Sequence, residues 1–177
     1  MKTKFNQSKL KLAIVSSIVA GTMGLSATSF AATATGTMAV STAVSMSCTI
    51  EAAAMTFAAY DPTAATDNDA TATITSTCTR GGAAVITMSQ GGKAKAGSSD
   101  AIPLRAMWTG VEAAPKLGYF IYSGSVGGTV WGNTAATGKA ITANGSAQTF
   151  TAFGRIPKEQ TVGAGNFTDS VAVTLTY

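Results

Sequence analysis

The pattern that most restricts this chain is an alternation of period two at each end of the sequence that follows residue 31. In residues 36–46, Met38, Val40, Thr42 and Val44 fall on one side, and Ala39, Ser41, Ala43 and Ser45 on the other. Residues 170–177 repeat the pattern with Val171, Val173, Leu175 and Tyr177 on one face. Such alternation places a segment half-buried on a sheet, because successive side chains of a strand point to opposite faces. No stretch beyond residue 31 keeps a 3.6-residue period between helix caps, so the expectation is an all-β chain.

The interior reads the same way. Residues 49–57 are apolar and Ala-rich and end at Tyr60-Asp61-Pro62, since proline cannot donate to a ladder. Residues 70–78 set Ala72, Ile74, Ser76 and Cys78 against Thr71, Thr73, Thr75 and Thr77. After a turn at Arg80-Gly81-Gly82, Ala84, Ile86 and Met88 form the next inward face. Residues 91–100 read as a loop, 117–122 as a compact strand, 148–156 as a strand ended by Pro157, and 171–177 as the last strand. A short strand is expected between Gly128 and Trp131, and Asn144-Gly145 is a strong turn dipeptide. Short strands at close spacing within one domain predict an antiparallel β-sandwich.

Residues 1–31 have the parts of a secretory signal: Lys2, Lys4, Lys9 and Lys11, then an uncharged apolar run, then small residues at Ser29 and Ala31. The predicted cleavage falls before Ala32. Four of the twelve basic residues and none of the eight acids lie in this leader, which leaves eight of each sign and no net charge. The basic balance of the whole sequence therefore belongs to the leader. No Lys/Arg stripe remains to bind nucleic acid. Charged residues make up only 11% of the chain, a surface poorly protected from association unless neighbours cover it.

Cys48 and Cys78 are the two cysteines. In an exported chain an even pair suggests a disulfide, and two cysteines allow one intramolecular pairing. Closing a loop of that length contributes roughly 3–4 kcal/mol on the chain-entropy account. A metal or redox role is the alternative, disfavoured by the lack of CxxC and of histidine.

Catalytic chemistry finds no support. Without histidine there is neither a His-based triad nor a His metal site. Asp67-Asn68-Asp69 lacks the glycine and the distant glutamate of a calcium loop and reads as a solvated turn. Gly91-Gly92-Lys93 lacks the order of a phosphate loop. Asn144 and Asn166 each begin a glycosylation sequon, a pattern short enough to arise by chance. Trp108 and Trp131 could stack on a sugar, but core or subunit-interface packing is the plainer reading. No enzyme activity, cofactor or metal is expected.

The run Phe153-Gly154-Arg155-Ile156-Pro157, then Gln160-Thr161-Val162, then Gly165-Asn166-Phe167-Thr168-Asp169, then the alternating end resembles the signature of the spore coat U domain family. Cys48-Thr49-Ile50, Phe57 with Tyr60-Asp61-Pro62, Thr77-Cys78, Leu117-Gly118-Tyr119 and Val130-Trp131-Gly132 agree with it. Phe57-Ala58-Ala59-Tyr60 departs from the commoner Phe-Gly-x-Tyr, and residues 52–54 form an Ala-rich insert. The family includes subunits of archaic chaperone–usher pili of the Csu and CupE type.

The resemblance implies an incomplete immunoglobulin-like sandwich, completed by a donor strand from a neighbouring subunit, a mode of strand addition general among pilins. Residues 1–31 would be the signal peptide, 32–47 the donor extension and 48–177 the pilin domain. Gly36, Met38, Val40, Thr42 and Val44 would enter the neighbour's groove. Val171, Val173, Leu175 and Tyr177 would mark the strand that meets a periplasmic chaperone. Implied partners are further copies of the chain, that chaperone, an outer-membrane usher, and minor pilins or a tip adhesin. The implied product is the rod of an extracellular pilus used in adhesion and biofilm formation. A secreted coat protein and a carbohydrate-binding sandwich are the alternatives.

Overall fold

A computed structural model describes residues 31–177. All of the expected leader but Ala31 lies outside them. The chain divides into two units, one ending at Ser41 and one running from Thr42 to Tyr177. Among the described residues, every strand belongs to the second. They are β1 (Cys48–Ala52), β2 (Asn68–Cys78), β3 (Ala83–Met88), β4 (Arg105–Met107), β5 (Leu117–Tyr122), β6 (Lys139–Thr142), β7 (Ala147–Ile156) and β8 (Val173–Thr176).

Two antiparallel sheets result, one ordered β1-β2-β7-β5-β4 and the other β6-β3-β8. The long β2–β7 ladder runs from Asn68 opposite Ile156 to Thr77 opposite Ala147. The expected inward faces are the observed ones: Ile74, Ser76 and Cys78 on β2 are buried, as are Ala84, Ile86 and Met88 on β3. Trp131 is fully buried among them and donates its indole N–H to the Ile86 carbonyl at 2.8 Å. The core reading of that tryptophan holds. Trp108 is half-buried, with the Lys93 ammonium 4.2 Å above its ring.

Several expectations need correction. The strand beginning near residue 49 stops at Ala52, and the stretch to Phe57 lies outside every strand. The expected strand before Trp131 is a single bridge from Val130 to Tyr122. The last strand is shorter than its alternation, and β4 and β6 were not anticipated. Residues 31–47 form no strand, despite the alternation from 36 to 46. Asn144-Gly145 does form a turn, with Gly145 at φ 86° and the Ser146 N–H on Asn144 Oδ1, but it joins β6 and β7 of different sheets. Arg80-Gly81-Gly82 likewise carries the chain from one sheet to the other.

Candidate functional site

The sandwich is open along one side. β8 pairs with β3, and its other edge has no ladder partner among the described residues. Facing that edge is the stretch after β1. It leaves the sheet after the Ala53 N–H bonds the Thr73 carbonyl at 2.9 Å. Between them lies a groove of 1170 Å³. Ile74, Met88, Leu117 and Tyr119 contribute to its floor, Met55 and Phe57 to one wall, and Val171 and Val173 to the other. Such a groove sets partly buried Met55, Phe57, Val171 and Val173 along an unpaired backbone edge, a combination that invites strand addition.

The walls are held by the side chains that carried the resemblance. Tyr60 donates its hydroxyl to the Pro157 carbonyl at 3.1 Å and accepts from the Gln160 N–H at 2.8 Å. The Gln160 amide spans Gly118, its oxygen accepting from the Gly118 N–H and its nitrogen donating to the Gly118 carbonyl, both at 2.8 Å. Gly154 provides room: a Cβ there would meet Met55 Sδ and Phe57 Cζ. Phe57 in turn packs edge-on against Tyr119, with ring centroids 6.2 Å apart.

Asp169 ties the other wall down. It accepts from the Gly92 N–H at 2.7 Å and the Tyr119 hydroxyl at 2.6 Å. Burial and the adjoining carboxylate both push the Tyr119 hydroxyl upward, keeping it a donor. Asp67 and Asp69 are not a free solvated turn: Arg155 reaches Asp67 Oδ2 at 3.0 Å and grips both oxygens of Asp69 at 2.7 Å.

Arg105 was not singled out by the sequence. It is 1% exposed and donates to the carbonyls of Ser89, Met88 and Trp131 at 2.9, 3.0 and 2.7 Å. Burial draws its guanidinium down to about 10, opposed by Tyr119 and Asp169. No pattern marks it, since a three-residue strand leaves no periodicity to read.

The expected site residues fall into three places. Cys48 and Cys78 are disulfide-bonded and sit directly opposite each other across β1 and β2. Met38, Val40 and Val44 are 87, 87 and 79% exposed, and Gly36 and Thr42 are exposed beside them. Val171, Val173 and Leu175 pack against their own core, while Tyr177 is 58% exposed. Val171 and Val173 also line the groove, beside the unpaired backbone edge of β8. Among the described residues there is no cluster suited to a metal, and no helix long and apolar enough to cross a membrane.

Two antiparallel sheets with a groove beside an unpaired edge define an open-edged, pilin-like β-sandwich. A similar fold occurs in a solved pre-assembly complex of the chaperone CsuC with the tip adhesion subunit CsuE, from archaic chaperone–usher Csu pili of Acinetobacter baumannii. The TM-score is 0.55 at 19% identity over 76% of this chain. The chain spans two fifths of that solved chain, 40% of its length. By sequence, the chain belongs to the spore coat protein U domain family, which matches residues 34–174. Protein U of Myxococcus xanthus is 33% identical over 178 residues, covering 93% of this chain and 99% of that protein. Family and fold are structural and non-enzymatic.

Proposed function

We propose that this chain is a pilus subunit of the chaperone–usher type, polymerising by strand donation. The observation that carries this reading is the groove beside the free β8 edge. The sequence supplies a matching occupant. Residues 36–46 have the alternation of a strand yet belong to none in their own chain. Met38, Val40, Thr42 and Val44 of one subunit enter the groove of the next, and each fully buried Val or Met contributes about 1.5–3 kcal/mol. Gly36 is placed where the neighbour's backbone comes close.

Residues 1–31 direct export. A periplasmic chaperone covers the β8 edge before assembly, around Val171, Val173, Leu175 and Tyr177, and an outer-membrane usher adds subunits to the growing fibre. The chain forms the rod rather than the tip of a surface pilus serving adhesion and biofilm formation. The similarity to Protein U along nearly its whole length favours a second reading, a secreted coat protein.

Electron microscopy of protein sheared from cells, with heat-dependent gel mobility, tests the first reading. Thin fibres and a detergent-resistant ladder that boiling collapses to one band are expected. Deleting residues 35–46 should abolish both; fibres from the deleted chain would sink the proposal, and a single unladdered band from the intact chain would favour the coat protein.

A further inference from the structure

We infer that successive subunits also meet through an ion pair, Arg80 of one copy against Asp61 of the next. This contact rests on the strand-donation reading.

The donor segment is rooted beside Arg80. The Thr79 N–H bonds the Ser47 carbonyl at 2.9 Å, and the Ser47 N–H bonds Thr79 Oγ1 at 3.1 Å. Met46 packs over Gly82, where a Cβ would meet its sulfur and methyl. The Thr79–Gly82 turn thus travels wherever the root of the donor goes. Arg80 is exposed at its tip and makes no ion pair among the described residues.

The direction of insertion follows from the shape of the groove. β8 runs toward the disulfide end, since its Thr176 lies opposite Val85 near the start of β3. β1, which begins at the disulfide, is in contact with β8. A donor lying parallel to β8 would leave its root at this closed end, with no way out for the chain. An antiparallel donor leaves its root at the opposite, open mouth, where Pro62 and residues 162–170 line the groove.

Asp169 lines that mouth, and Asp61 directly precedes Pro62, which also lines it. Asp169 is already occupied by Tyr119 and Gly92. Asp61, next to Pro62, is exposed and ionised, held low by the Thr63 hydroxyl and N–H. Both of those bonds fall on Oδ1 at 2.7 and 2.8 Å, and Oδ2 has no partner among the described residues. The arriving guanidinium and the waiting carboxylate are opposite in sign, a rim pairing that selects orientation and speeds encounter more than it tightens the joint. A second copy of this chain is the partner that presents both.

The test uses fibres of the full chain carrying Arg80→Lys, treated with a zero-length carbodiimide that joins a lysine amine only to a carboxylate in contact. A ladder that survives boiling is expected, and it should disappear when Asp61→Asn is added to Arg80→Lys. Fibres without a boil-resistant ladder, or a ladder that persists with Asp61→Asn, would overturn the contact while leaving strand donation intact. Absence of fibres from the unsubstituted chain would overturn strand donation, and the contact with it. Charge reversal gives an independent readout. Arg80→Glu and Asp61→Lys should each slow assembly and the pair together restore it; equal rates in all four chains would count against the pairing.

Discussion

The hydroxyl of Tyr119, on β5, donates to Asp169 Oδ2 at 2.6 Å, fastening the floor of the groove to the segment that leads into β8. Phenylalanine at position 119 keeps the ring and its contact with Phe57 but removes the donor. The carboxylate then keeps only the Gly92 N–H. Tyr119→Phe should cost about 1–3 kcal/mol in urea unfolding. It should also loosen the segment around Phe167 to Val171, read as faster amide exchange there.

Arg105 places a cation where nothing of opposite sign touches it, held by three carbonyls. Its Nη1 has no partner among the described residues. Arg105→Met matches the stem but strands those carbonyls, a loss on the order of 3 kcal/mol. Arg105→Lys should rescue little, because one ammonium cannot reach acceptors arranged for a planar fork. Thermal melts of the two variants should fall together, well below the parent.

Val40 lies mid-way along the alternating segment and is 87% exposed. Val40→Asp should leave the melting temperature of the isolated subunit unchanged, since the side chain buries nothing at home. In a neighbour's groove the same carboxylate would be desolvated without a partner. Fibre yield should therefore collapse while subunit stability does not. A parallel fall in both would mean that the segment packs within its own chain.

Arg155 holds Asp69 below its ordinary value of 3.8 by direct hydrogen bonding. A carboxylate depressed in the folded state stabilises it fully above the unfolded value, and that contribution fades as pH drops through the lower folded one. The pair is largely exposed, so its contribution is small. Asp69→Asn should lower stability slightly near neutrality and flatten its decline in acid, as followed by urea midpoints across the acid range.

Which parts of this structure could be read in advance depended on how far each feature reaches along the chain. β2, β3, β5 and β7 carry their own alternation or apolar run, and their inward residues follow from it. β4 and β6 are three and four residues long and include Arg105 and Lys139, too short and too charged to show a period. The partner of Asp69 lies 86 residues away, so its ion pair has no local trace. Residues 36–46 show the opposite case. Their alternation is plain, yet it specifies a strand only where a partner edge exists, and none pairs with them in a ladder among the described residues.

The Cys48–Cys78 bond has a mechanical consequence. A pull on the backbone at Ser47 reaches Cys48 after one residue and passes through the covalent bridge into β2. Peeling β1 away from that end is blocked, so tension bypasses its five-residue ladder. The load is spread instead over the β2–β7 pairing, from Thr77 opposite Ala147 to Asn68 opposite Ile156. A pull along β2 would load those rungs in shear, many at once rather than one after another. In a fibre under drag, the point where each subunit is gripped would be the place least able to unzip.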